Sequence, residues 1–168
     1  EWIGFLLEQD LAAITVHGRT TKEMSKVPAH WDEIGKAATL RNVMKKETLI
    51  IGNGDVLSYD DAKEKATTYG LDGIMIGRGV FQNPWIFNPD KQLETVTLDE
   101  RIKLLIKHIT LFDNTWGDKK PFHIMKKYCK IYISGFDGAA IIREELMQKN
   151  TSDEVLKFLS ELRNNLGV

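Results

Sequence analysis

The sequence predicts an α/β unit followed by an all-α unit. Three short, unbroken apolar runs, at residues 13–16, 49–51 and 73–76, are separated by segments with helical spacing. Runs of this kind read as parallel strands joined by βα units, each unit spanning about 30 residues. Around Asn88-Pro89-Asp90 the pattern changes, and from Thr97 onward every apolar periodicity is helical. The expected division is residues 1–90 and 91–168.

Taken in order, residues 2–10 place Ile3, Leu6 and Leu7 at helical spacing, and Ala13-Ile14-Thr15-Val16 forms a strand ending at His17. A polar loop from Gly18 to Pro28 leads to a helix around Trp31, Ile34 and Ala38. The strand Leu49-Ile50-Ile51 ends at Gly52-Asn53-Gly54-Asp55. Ser58 is placed to cap a helix running to Tyr69, with Gly70 as its stop. The strand Gly73-Ile74-Met75-Ile76 ends at Gly77-Arg78-Gly79. In the second unit Thr97 and Glu100 have capping-box spacing before Leu98, Ile102, Leu105, Ile109 and Phe112. A helix follows Pro121 and runs to about Ser134, with Gly135 as its stop, and Ala139–Met147 gives the next. Thr151 and Glu154 cap the last, which carries Val155, Leu159, Leu162 and Leu166. The expected architecture here is a small up-and-down helical bundle.

At 168 residues, with 42% apolar and 28% charged residues, the composition is that of a soluble globular chain. No apolar run approaches the roughly 20 residues that cross a bilayer, so no membrane association is expected. The start, Glu1-Trp2-Ile3-Gly4, has no initiator Met and no basic-then-apolar pattern, and does not read as a signal peptide. The single cysteine, Cys129, excludes an internal disulfide framework and a cysteine-based zinc site, and reads as a buried small hydrophobe. His17, His30, His108 and His123 have no metal-ligand spacing, so no metal is expected. These features point to a cytoplasmic protein. The net charge of −1 hides an asymmetry: residues 1–90 hold 10 Lys/Arg against 13 Asp/Glu, residues 91–168 hold 13 against 11. Lys119, Lys120, Lys126, Lys127 and Lys130 fall in one stretch without an acid. Such a stretch is either a solvated helix face or a surface for a polyanion.

The chemically unusual residues of the first unit share one position. His17, Asn53 and Arg78 each stand just past the C-terminal end of an expected strand, the edge at which parallel α/β folds carry their sites. Glycines 52, 54, 77 and 79 let backbone N–H groups approach an anion, and Arg78 adds a guanidinium suited to phosphate. Neither loop is a dinucleotide fingerprint, since Leu57 and Gln82 stand where a third glycine belongs. Each loop alone reads as a tight βα turn; together they suit the phosphate site that (β/α)8 barrels build after their last two strands. Met75 and Trp85 read as core residues.

His17-Gly18-Arg19-Thr20, Ile51-Gly52-Asn53-Gly54-Asp55 and Gly73 to Gly79, continuing to Asn83-Pro84-Trp85-Ile86-Phe87, resemble the tRNA-dihydrouridine synthase family. Their order is that of the second half of its flavin-binding barrel. Lys126-Lys127-Tyr128, Gly135-Phe136 and Gly138-Ala139-Ala140 resemble its C-terminal helical domain. The resemblance therefore implies a partial TIM barrel, its last three βα units, followed by the helical bundle. It implies reduction of uridine in tRNA with FMN as cofactor and NADPH as reductant. By resemblance His17 contacts the flavin; Asn53, Gly54 and Asp55 match the loop at its phosphate and ribityl chain; Gly77 and Arg78 match the second phosphate loop. Arg19 is a candidate for phosphate or RNA. The five lysines of residues 119–130, with Tyr128 and Tyr132 interleaved, become a candidate tRNA surface.

The family's catalytic cysteine and flavin-contacting lysine belong to the preceding half of its barrel, which these residues do not match, and Cys129 lies in the helical tail. The expectation is thus a fragment without turnover of its own. Exposed sheet edges and an uncovered apolar face would drive it to self-associate or to join the missing half. Two other readings remain: a non-catalytic RNA-binding module, and another FMN- or phosphate-binding TIM-barrel enzyme.

Overall fold

The three apolar runs fold as strands β1 (Ala13–His17), β2 (Leu49–Asn53) and β3 (Gly73–Met75) in a computed structural model that describes residues 1–165, apart from the side chain of Asp118. They form one parallel sheet in the order β1-β2-β3. The chain divides into two compact units, Glu1–Asp90 and Lys91–Val168.

In the first unit, α1 (Trp2–Leu7) is shorter than the periodicity of residues 2–10 suggests, because Asp10 turns the chain through a left-handed conformation at φ 49°. Helix α2 (Trp31–Val43) carries Asp32 and Glu33 in its first turn and Arg41 in its last, a distribution that opposes the helix dipole. It buries Trp31, Ile34, Ala37 and Ala38. These pack with Ile14 of β1 and Ile50 of β2, and full burial of each large aliphatic side chain contributes about 1.5–3 kcal/mol. Helix α3 (Tyr59–Thr68) begins at Ser58, whose Oγ accepts from the Asp61 N–H at 3.0 Å, and Gly70 follows its end at φ 63°.

Register fixes which residues share a face. His17, Asn53 and Met75 align in one row, and Thr15, Ile51 and Gly73 in the next. Ile14 and Ile50, of opposite parity, are buried in the core, whereas Ala13, Leu49 and Met75 are exposed. Burial on both strand faces, which the unbroken apolar runs suggest, is therefore not found in this chain: one face is covered and the other is open. Met75 corrects a second expectation, being 51% exposed rather than part of the core. Trp85 is half-buried.

The second unit gathers α4 (Leu98–Trp116), α5 (His123–Tyr132), α6 (Ala139–Gln148) and α7 (Ser152–Asn165) around one core. Ile102, Leu105, Ile109 and Phe112 supply the buried face of α4. Thr97 and Glu100 form the reciprocal capping box that their spacing anticipates. At α7 the cap is skewed: Thr151 Oγ1 accepts from the Glu154 N–H at 3.3 Å, and the Glu154 carboxylate accepts from the Asn150 N–H at 2.7 Å. Val155 and Leu159 of α7 are buried. Leu166, expected on the same face, lies outside the described residues.

Candidate functional site

Strand register brings the predicted residues to one place. His17, Arg19, Asn53, Gly54, Asp55, Gly77 and Arg78 all line a single cavity of about 530 Å³ at the C-terminal ends of the strands. That volume lies within the roughly 300–1,000 Å³ of small-molecule sites. The cavity is also lined by Ser25, Leu57, Met75 and Gln82, which sequence reasoning missed as site residues. For Met75 the alternation of a strand becomes readable only once the register aligns it with His17 and Asn53. For Ser25, in a patternless polar loop, there was no signal.

The carbonyl of Asn53 is a junction. It accepts from the Gly18 N–H at 2.9 Å and from His17 Nδ1 at 3.1 Å. A carbonyl can only accept, so Nδ1 carries the proton, and in the neutral ring Nε2 is left as an acceptor. The Asn53 side chain donates from Nδ2 to the Met75 carbonyl at 2.7 Å. One residue thus ties the ends of all three strands together.

The turn after β2 is held from the loop after β1. Gly54 has φ 141°, and the non-glycine Asp55 follows at φ 49°. The Asp55 carboxylate is paired with the guanidinium of Arg19 and accepts from the Ala29 N–H at 2.9 Å. The Arg19 guanidinium beside it holds the Asp55 carboxyl below the usual carboxylate range, aided by the Ala29 N–H and by the field of Arg78. Arg19 also donates from Nε to the Val27 carbonyl at 2.6 Å, and its side chain is only 5% exposed. Its guanidinium is engaged by protein groups rather than extended into solvent.

After β3, Gly77 leads into a single 3-10 turn at Arg78–Phe81. Gly79 is required by close approach: a Cβ there would fall 2.2 Å from the Val56 carbonyl oxygen, so the two glycine turns are packed against each other. At Gly77 an added Cβ would meet nothing within 4 Å. Arg78 donates from Nη1 to Ser25 Oγ at 2.9 Å.

The predicted RNA residues of the second unit divide into two groups. Lys119, Lys120, Lys127 and Lys130 are exposed. Lys120 lies 3.5 Å from the centre of the Trp116 ring, and Lys127 4.8 Å from that of Tyr128, both cation–π contacts. Lys126 is half-buried and donates to the Met147 carbonyl at 2.8 Å. Tyr132 is buried with its hydroxyl 2.8 Å from His108 Nδ1. Cys129 is 1% exposed, and burial pushes its thiol up to about 11. Among the described residues no group of three or more His, Cys, Asp or Glu is gathered to hold a metal ion, and no helix is long and apolar enough to cross a membrane.

Comparison with known proteins gives a consistent result. The family model for dihydrouridine synthase (Dus) matches residues 4–166. A probable tRNA-dihydrouridine synthase of Staphylococcus aureus (strain MRSA252) is 38% identical over 162 residues, covering 96% of this chain and 49% of that protein. The probable tRNA-dihydrouridine synthase 2 of Bacillus subtilis (strain 168) matches with the same identity and coverage. A probable tRNA-dihydrouridine synthase of Staphylococcus epidermidis (strain ATCC 12228 / FDA PCI 1200) is 39% identical over 160 residues, 95% of this chain and 48% of that protein. The chain spans about half the length of these curated relatives. With its strand-end residues and a match over nearly its whole length, the chain belongs to the dihydrouridine synthase family.

Proposed function

We propose that the cavity at the strand ends is the phosphate side of an FMN site in a tRNA-dihydrouridine synthase. The observation that carries this reading is the convergence of His17, Asn53, Gly77 and Arg78 on one cavity. The residues present fit the group: Arg78 opposes the charge of a phosphate monoester, and the open space beside Gly77 admits an anion to the backbone. Asn53 holds the three strand ends in place, and His17 Nε2 offers an acceptor to the ligand. When bound, FMN reduced by NADPH supplies the hydride for the uridine C5–C6 double bond of tRNA. Titration of the purified chain with FMN, followed by flavin fluorescence, tests this; equal affinity for riboflavin would exclude a phosphate site.

The open sheet face supports reading β1 to β3 as part of a (β/α)8 barrel, in which such a face points into the lumen. Leu49, Ile51 and Met75 then belong to an interior that further strands would close. The edges of β1 and β3 and this face are reasons for the chain to self-associate or to pair with the remaining part of such a barrel. Sedimentation as a monomer at every concentration would contradict it. Cys129, buried in α5 with a raised thiol pKa, is unsuited to protonate a substrate. These residues alone are therefore expected to give no dihydrouridine.

For the second unit, four of the five predicted lysines remain available to RNA: Lys119, Lys120, Lys127 and Lys130. Their exposure supports a tRNA-binding role, within a cytoplasmic enzyme, through salt-dependent phosphate contacts. A colourless chain that still shifts tRNA mobility would favour a binding module over a flavoprotein.

A further inference from the structure

Arg19 and Asp55 stand 36 residues apart in sequence, yet each depends on the other in the cavity wall. Asp55 occupies a left-handed conformation at φ 49° directly after Gly54, one that a non-glycine residue keeps through local hydrogen bonds of its side chain. What holds it is its carboxylate, through Arg19 Nη2 and the Ala29 N–H on the same Oδ2. Arg19 in turn is anchored by the Val27 carbonyl. The charged side chains lining the cavity are Arg19, Asp55 and Arg78, one net positive charge. Asp55 is ionised at neutral pH, and without Arg19 its charge would cancel that of Arg78 at the place where an anion is to bind.

We propose that Arg19 is a positioning residue that sets the phosphate affinity of the cavity through Asp55. It fixes the Asn53–Asp55 turn in its left-handed form and neutralises the Asp55 carboxylate, leaving Arg78 as the uncompensated charge. This rests on reading the cavity as a flavin phosphate site.

The experiment compares FMN with riboflavin on the wild-type chain, Arg19→Met, Arg19→Met/Asp55→Asn and Arg19→Lys. Alongside runs amide hydrogen exchange of residues 53–56 without ligand. Arg19→Met is expected to weaken FMN about tenfold and riboflavin by no more than about twofold, with faster exchange in the turn. Adding Asp55→Asn is expected to restore part of the FMN affinity by removing the exposed charge. Arg19→Lys, which keeps the charge and loses the fork, is expected to retain the preference for FMN. Unchanged exchange in Arg19→Met overturns the proposal, as does equal weakening of both flavins without recovery in the double variant. Loss of the FMN preference in Arg19→Lys overturns the charge argument even where Arg19→Met does not fold. A wild-type chain that fails to prefer FMN over riboflavin instead removes the flavin reading itself, while the exchange measurement still decides whether Arg19 holds the turn.

Discussion

The ammonium of Lys126 lies 2.8 Å from the carbonyl oxygen of Met147, one residue before the end of α6. The relation is reciprocated: Arg143 of α6 donates from Nη1 to the carbonyl of Ile133, the residue that closes α5, also at 2.8 Å. Each helix thus sends a cation to the carbonyl end of the other, where the dipole is negative and the last carbonyls lack intrahelical partners.

Lys126 is accordingly expected to act on stability where its neighbours act on binding. Lys126→Ala should destabilise the chain by about 1 kcal/mol in urea denaturation. Lys127→Ala and Lys130→Ala should stay within about 0.5 kcal/mol of wild type. In tRNA binding the ranking reverses: each exposed lysine removed should reduce the slope of log affinity against log salt by about 1. A double variant of Lys127 and Lys130 with unaltered tRNA affinity would show that this surface does not meet RNA.

The two glycines beside Arg78 are expected to fail differently. Gly79→Ala drives a methyl into the Val56 backbone carbonyl, which cannot rotate away, so about 1–3 kcal/mol of stability should be lost. Gly77→Ala meets no neighbour and should melt close to wild type while weakening FMN, because the methyl enters space left for the ligand. Thermal melts paired with flavin titration separate the two effects. Equal FMN affinity in wild type and Gly77→Ala would place the phosphate elsewhere.

Glu23 gives the loop after β1 an acid-sensitive fastening. Its carboxylate accepts from the Thr20 N–H at 2.8 Å and from the Thr20 hydroxyl at 2.9 Å, and lies 2.9 Å from His30 Nε2. The Thr20 N–H foremost, then His30 and the Thr20 hydroxyl, lower its pKa from 4.5 to about 2. The folded state therefore binds this proton less readily than the unfolded chain. The contribution is complete above about pH 4.5 and fades as pH falls towards 2. Wild type should exceed Glu23→Gln in stability at pH 7, with the difference shrinking towards pH 2.5 in denaturant titrations. A difference independent of pH would remove the charge from this account.

Cys129 is expected to resist alkylation in the native state, since both its burial and its raised pKa withhold the thiolate. Cys129→Ser should cost about 1–3 kcal/mol, by placing a hydroxyl in an apolar core. Rapid labelling of the folded chain by iodoacetamide at pH 7 would contradict the packing of α5.

Much of this arrangement was legible because the governing signals are local. The strand end at His17, the Ser58 cap, the Thr97–Glu100 box and the turn at Gly77–Gly79 each follow from residues within a few positions of one another. Helix α5 ends at Tyr132 rather than near Ser134, and Gly135 follows at φ 78°, an ordinary displacement of a helix end. What the sequence concealed was long-range. Arg19 reads as a free basic residue until Asp55 is brought beside it, and Lys126 reads as one lysine of five until α6 folds back over α5. Met75 looks apolar and therefore internal, yet its parity in β3 aligns it with His17 and Asn53 on the uncovered face.

That alignment restricts how such a chain can change. Because successive strand side chains point oppositely, losing or gaining a single residue within β1, β2 or β3 would swing its terminal member from the cavity side to the helix side. Loops bounding the cavity can lengthen without this penalty. Variation among descendants should therefore accumulate as insertions between strands, while the spacing from each strand's first apolar residue to His17, Asn53 or Met75 stays constant.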